Sequence, residues 1–205
     1  MPSQTTRREL LCRGVLAGGL GLAGATVLLP AEAAAATAAA SAPPSNIAVL
    51  GRLVRLEELI LYAYQHVLAS SLLPSSAQPV VAGLRNQEQA HIHALSAALS
   101  VLGGTSPAGP VNLAAADKDL SHRNVSQRLG QLRGGKDALR LLLAIEHVAE
   151  GAYYVAMSEL GGPILPRLGA EIMASEAQHA TVLTVLLHPV DLTQAVPYGL
   201  VQGRR

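Results

Sequence analysis

Glu88 and His91, and again Glu176 and His179, place an acid and an imidazole three positions apart in Glu88-Gln89-Ala90-His91 and Glu176-Ala177-Gln178-His179. Each residue of an α-helix turns the side chain by about 100°, so such a pair lies about 60° apart on one face. Both faces are otherwise apolar. Around Glu88 the stripe holds Val81, Leu84, Ile92, Leu95, Leu99 and Leu102; around Glu176 it holds Ile172, Met173, Leu183 and Leu187. A carboxylate in an apolar stripe must be neutral, paired or coordinated, because burying an uncompensated charge is costly. Coordination of a metal ion uses the imidazole as well. Two such motifs on facing helices can grip metal together.

Four long helices are needed to position these groups. The spacing predicts the first over 47–72, with Leu50, Leu53, Val54, Ile60, Leu61, Tyr64 and Leu68 on one face and Glu57 at its centre. Glu58 lies about 100° off that face and reads as solvated. Ser45 or Asn46 can cap the start. A proline-bounded turn at 74–79 leads into the second helix, 79–102, which carries Glu88 and His91 and should run antiparallel to the first. His93 points away from Glu88. Residues 103–135 are rich in Gly, Pro and polar types, with one short helix expected around 125–132. That linker is long enough to recross a bundle about 35 to 40 Å tall. The third helix spans about 137–160, with Leu139, Leu142, Leu143, Glu146, Ala149, Tyr153, Met157 and Leu160 on its stripe. Gly161-Gly162-Pro163 separates it from the fourth, 164–187, and Pro189 closes that one.

The two halves repeat each other. Glu57 is followed by Tyr64 seven residues on and by Glu88 thirty-one on; Glu146 is followed by Tyr153 seven on and by Glu176 thirty on. Two copies of one helical hairpin, joined by a long crossover, account for the pattern. His66, His93, His122, His147 and His188 fall outside this register and read as surface or structural histidines.

Composition narrows the class. The 205 residues are 50% hydrophobic, with no Phe or Trp. Ala and Leu dominate, both strong helix formers, and this points to an all-α fold. Fifteen basic and fourteen acidic residues give a formal charge of +1, without a basic run suited to nucleic acid. The single cysteine, Cys12, cannot pair within the chain. Residues 1–33 read as an export signal: Thr5-Thr6-Arg7-Arg8-Glu9-Leu10-Leu11 precedes an uncharged Gly/Ala/Leu stretch and Ala31-Glu32-Ala33. Paired arginines before a mildly apolar, glycine-rich segment resemble the twin-arginine signal, which implies the twin-arginine export machinery as a partner. The segment is short and glycine-laden for a permanent membrane span. The expected organisation is a signal over 1–33, a flexible linker over 34–46, a helical domain over 47–188 and a C-terminal tail over 189–205. The tail is apolar for a free end and could pack on the bundle or on a second subunit as a homodimer.

Helix, helix, long crossover, helix, helix, with Glu on the odd helices and Glu-x-x-His on the even ones, resembles the ferritin-like di-iron and di-manganese carboxylate bundles. The chain is most similar to exported bacterial ferritin-like domain proteins, through Ile145-Glu146-His147-Val148-Ala149-Glu150-Gly151-Ala152-Tyr153-Tyr154 and Ala174-Ser175-Glu176-Ala177-Gln178-His179-Ala180. The resemblance implies a ferritin-like four-helix bundle whose metal ligands are Glu57, Glu88, His91, Glu146, Glu176 and His179. It also implies that Glu88 and Glu176 lie closest to both ions, with Glu57 and Glu146 each serving mainly one. Glu150, about 40° from Glu146 on the same helix, departs from the simplest pattern and could add a ligand or move a proton.

Carboxylates with neutral imidazole suit two iron ions, or manganese in their place, and four carboxylates offset two divalent charges. The reaction class implied is oxidoreduction with Fe(II), oxygen or peroxide, as in a ferroxidase, catalase or peroxidase, outside the cytoplasm in the periplasm, cell envelope or medium. Tyr64 and Tyr153 share the ligand face and read either as hydrogen-bond donors or oxidisable groups at the centre, or as ordinary core aromatics. Two other readings fit the same residues. One is a metal-binding or stress-protective envelope protein without turnover; the other is a structural bundle tied by buried Glu-His pairs.

Overall fold

The computed structural model describes residues 45–195, which form five α-helices and no strand. The export signal with Cys12, nearly all of the linker and the last ten residues of the tail lie outside the described residues. Helix α1 runs over Asn46–Ala69, α2 over Gln78–Val101, α3 over Leu113–His122, α4 over Gly135–Glu159 and α5 over Ile164–Leu187. No helix among the described residues is long and apolar enough to cross a membrane.

Local chemistry sets the boundaries. Ser45 caps α1, its hydroxyl accepting from Ala48 N at 3.2 Å. Asn46 is engaged elsewhere: its side-chain oxygen accepts from Gly161 N at 2.8 Å, tying the start of α1 to the α4–α5 turn. Helix α1 ends at residue 69, three residues before the expected end, because Ser71 takes a positive φ of 57°. Pro79 stands in the first turn of α2, where a missing N–H costs nothing. Beyond α2, Gly103 adopts a φ of 80° and Gly104 N bonds back to Leu99 O at 2.9 Å. A side chain at Gly104 would collide with Leu99, so the chain can turn this tightly only with glycine there. Leu102, expected on the apolar stripe, instead forms the cap and is exposed.

The crossover departs most from expectation. No α-helix spans 125–132; only a single 3-10 turn forms there, over Leu129–Gln131. The short helix is α3, earlier in the linker, begun by Asn112, whose side chain accepts from Ala115 N at 2.9 Å. Three alanines follow within its first turns, and alanine is the best helix former. Gly130 and Gly134 leave the later segment no comparable propensity. Asp117 on α3 accepts from Leu129 N at 2.6 Å and Gly130 N at 3.2 Å, so helix and turn form one unit. Replacing Asn112 with Ala removes the cap and should lower unfolding stability by about 1 kcal/mol, read from urea denaturation.

That unit changes the environment of α1. The helix pairs with α2 on one side and α4 on another, and α3 with the 3-10 turn covers a further part of it. Val49, Leu56, Leu59 and Ala63, all outside the single stripe read from periodicity, are therefore buried. Leu120, Val125 and Leu129 of the crossover join the same core. Helices α4 and α5 form the second hairpin, and α2 meets α5 less extensively. The four long helices thus pack side by side around one core, with the 3-10 turn Leu192–Ala195 resting against α5.

Candidate metal centre

Helix α1 supplies Glu57, α2 supplies Glu88 and His91, α4 supplies Glu146, and α5 supplies Glu176 and His179. These six are the buried polar or charged residues of the core. Each sits where the apolar stripe of its helix faces inward, so the packing that buries the leucines buries these groups as well.

The two hairpins interlock. His91 Nδ1 lies 2.9 Å from Glu176 of the opposite hairpin, 3.5 Å from Glu88 and 3.7 Å from Glu57. His179 Nδ1 lies 2.7 Å from Glu88 of the opposite hairpin and 3.6 Å from both Glu146 and Glu176. The imidazole rings stack with centroids 5.8 Å apart. Two overlapping groups of ligand-type atoms result: Glu57, Glu88, His91 and Glu176 in one, Glu88, Glu146, Glu176 and His179 in the other, each with its atoms within 4.8 Å of one another. Glu88 and Glu176 belong to both.

The hydrogen bonds sort the carboxylates into two kinds. Tyr153 donates to Glu57 Oε1 and Tyr64 donates to Glu146 Oε1, each across to the other hairpin. Glu57 Oε2 and Glu146 Oε2 are buried without an aligned partner; so are both oxygens of Glu88 and of Glu176, and Nδ1 of both histidines. Eight buried polar atoms from six residues therefore converge with no hydrogen bond among the described residues. Buried polar groups are nearly always bonded, so a cluster of this size needs a partner of another kind. Divalent cations are that partner for carboxylate oxygen and imidazole nitrogen. The donor set fits a metal ion.

Gln87 was not legible in the sequence as part of the site. His179 Nε2 lies 2.7 Å from Gln87 Oε1 and 3.3 Å from Ser175 Oγ, so the proton on Nε2 is held and Nδ1 is left to face the centre. His91 has no counterpart to Gln87 among the described residues, and it is 9% exposed where His179 is 1% exposed. The only available signal was position: Gln87 precedes Glu88, as Ser175 precedes Glu176.

Without metal the centre holds protons. Burial raises the carboxyls of Glu57 and Glu146 well above the usual range, and the neighbouring Glu176 and Glu88 charges add to it. Burial opposes charge on the imidazoles, but the surrounding carboxylates outweigh it. Glu176, Glu57 and Glu88 push His91 up to about 12, and Glu146, Glu176 and Glu88 push His179 up to about 12. Glu176 goes the other way: burial would raise it, yet close contacts with Glu146, His179 and His91 bring it down to about 2. Burial, followed by the Glu146 charge, raises the Tyr64 phenol, and burial with Glu57 raises Tyr153. Both tyrosines stay protonated donors.

Tyr64 and Tyr153 are therefore fully buried and bonded to the outer carboxylates. Tyr64→Phe should leave Glu146 Oε1 buried and unbonded, lowering stability by about 1 to 3 kcal/mol in chemical denaturation and weakening metal binding by about 10- to 100-fold. Glu150 is half-buried and outside both ligand groups; burial, then the Glu176 charge, raises its carboxyl. Glu58 is half-buried on the edge of α1, and His93 is exposed beside Gln89.

The fold and the buried acid–imidazole core define a class. The family model described as Ferritin-like domain matches residues 45–189, and the chain belongs to that family. Among solved structures it is similar to the conserved hypothetical protein rv2844 from Mycobacterium tuberculosis, with a TM-score of 0.59 and 21% identity over 74% of this chain and 96% of that one. At that identity the likeness is one of fold. No curated protein matches the chain.

Proposed function

We propose that the chain is an exported ferritin-like four-helix bundle that holds two iron ions, or manganese, between its hairpins and acts as an oxidoreductase on Fe(II), oxygen or peroxide. The observation that carries this reading is the convergence of eight buried, unbonded ligand-type atoms in two groups that share Glu88 and Glu176. Salt bridges between helices would need one acid per imidazole; here four carboxylates meet two imidazoles, and each inner carboxylate has one oxygen near an imidazole of the opposite hairpin and no aligned hydrogen bond on either oxygen. A purely structural role leaves that excess unexplained.

Glu88 and Glu176, which belong to both ligand groups, would help hold both ions. Glu57 with His91 would complete one position, and Glu146 with His179 the other. Tyr153 and Tyr64 hold the outer carboxylates so that one oxygen of each faces inward. The Leu, Val and Ala packing around the site keeps bulk water out and strengthens each charge interaction. When bound, paired redox metal ions supply two one-electron steps side by side, which suits oxygen or peroxide as acceptor. Export rests on Arg7-Arg8 and the apolar stretch behind them.

The test is metal analysis of the purified mature chain followed by aerobic Fe(II) oxidation and peroxide consumption. Close to two ions per chain with turnover is the expected result. Bound metal without turnover would leave a metal-binding, stress-protective role in its place, and a chain that takes up no metal would leave a structural bundle. Fusion of residues 1–45 to a reporter tests export: loss of export on Arg7→Lys with Arg8→Lys is expected.

A further inference from the structure

A groove of about 720 Å³ is lined by α1, α4 and the loop that follows α3. None of the six centre residues and neither buried tyrosine lines it. Its charge is one-sided: Arg52, Arg55, Arg123 and Arg140 line it against a single acid, Glu159. Arg52 pairs with Glu159, and Arg140 reaches Asp137 at 3.7 Å. Arg55 and Arg123 have no carboxylate within ion-pair distance among the described residues, on a chain whose formal charge is only +1.

The two unpaired guanidiniums act on each other. Burial lowers the Arg123 pKa from its ordinary value, Asp119 on α3 works against that, and the Arg55 charge lowers it further. Two cations, Arg123 half-buried and Arg55 exposed, thus act on each other at one groove, an arrangement that favours an anion between them. His122, Asn124, Ser126, Gln127 and His147 add polar groups, and the rest of the lining is apolar. Leu53 and Leu56 are buried beneath it, Leu143, Val148 and Ala152 are half-buried, and Val155 is exposed. The loop wall is preformed: Arg128 donates to the carbonyls of Val125 and Gln127 and to Ser121 Oγ, and Val125 N bonds Leu120 O at 3.0 Å. The volume is in the range of small-molecule sites.

We propose that this groove binds a small amphipathic organic anion, its carboxylate or phosphate head between Arg55 and Arg123 and its apolar body along Leu53, Val148 and Ala152. The head neutralises two like charges. The body covers apolar surface that α1 and α4 otherwise leave to water.

The experiment titrates the full mature chain with decanoate, decyl phosphate, decanol and inorganic phosphate by calorimetry. Saturable one-to-one binding of decanoate or decyl phosphate is expected, at least tenfold tighter than decanol or inorganic phosphate and weakened by salt; which of the two binds tighter identifies the head group. Arg55→Gln and Arg123→Gln should each weaken it about tenfold or more, Arg123→Lys should restore part of the loss, and Ala152→Leu should block the body. Arg55 is exposed, so its variant is expected to fold even if Arg123→Gln does not. Decanol binding as tightly as decanoate, unchanged affinity in folded Arg55→Gln, or self-association that buries Val155 and excludes all four probes would each overturn the proposal.

Discussion

Glu88→Gln is expected to abolish uptake of both metal ions, whereas Glu57→Gln leaves one. The two ligand groups overlap only at Glu88 and Glu176, whose four oxygens are all buried and unbonded. Glu57 belongs to one group and commits one oxygen to Tyr153. Removing a shared carboxylate therefore opens both positions, and removing an outer one opens a single position. Loss of even a supporting partner of a ligand costs about 10- to 100-fold in affinity, so loss of a shared carboxylate should cost about a hundredfold or more at each ion. Glutamine keeps volume and hydrogen bonding, and helical circular dichroism should be unchanged. Metal content after dialysis, by elemental mass spectrometry, separates near zero for Glu88→Gln and Glu176→Gln from about half the wild-type content for Glu57→Gln and Glu146→Gln. Equal losses in all four variants would show that no carboxylate is shared.

Metal affinity should rise steeply with pH. In the metal-free centre His91 and His179 carry protons, because neighbouring carboxylates push both up to about 12, and burial holds Glu57 and Glu146 protonated. Each must lose its proton to become a ligand, so binding two ions releases up to four protons. Affinity then increases by about ten- to a hundredfold per pH unit for each ion between pH 6 and 8. The metal-free fold has the opposite dependence. A histidine whose folded pKa is raised contributes stability that is complete below its unfolded value near 6.5 and is lost as pH climbs towards 12. Glu176, lowered to about 2, adds stability above about pH 4.5 that disappears only as pH falls through 2. Chelated protein should therefore lose stability from pH 7 to 9 while loaded protein does not. Calorimetry in buffers of different ionisation enthalpy counts the protons, and a flat affinity across pH 6 to 8 would contradict this picture.

The centre was legible in the sequence because its residues break a pattern. A glutamate in a leucine stripe is conspicuous, and the register Glu57, Tyr64, Glu88, His91 repeats as Glu146, Tyr153, Glu176, His179. The structure brings those eight side chains together, and it adds that each tyrosine serves the glutamate of the other hairpin. No spacing rule within one helix could reveal that crossed bonding. Gln87 stayed hidden for a similar reason: a glutamine on a helix edge has no signature until its neighbour across the core is known.

What failed to show was set by tertiary contacts and by caps. The second buried side of α1, with Leu56 and Leu59, exists because the crossover folds against it, and an amphipathic stripe carries no record of a third partner. The linker's one short helix, expected around 125–132, lies at Leu113–His122 instead, where Asn112 and the alanines that follow decide its place. Arg55 and Arg123 are far apart in the chain, and only the α3 loop makes them neighbours.

A crystal structure of the metal-loaded mature chain, with anomalous scattering collected at the iron and manganese edges, tests the central claim most directly. Two peaks about 3.5 to 4 Å apart, between Glu88 and Glu176 and flanked by Glu57 with His91 and Glu146 with His179, are predicted. A single peak, or none among those six side chains in metal-saturated crystals, would contradict it.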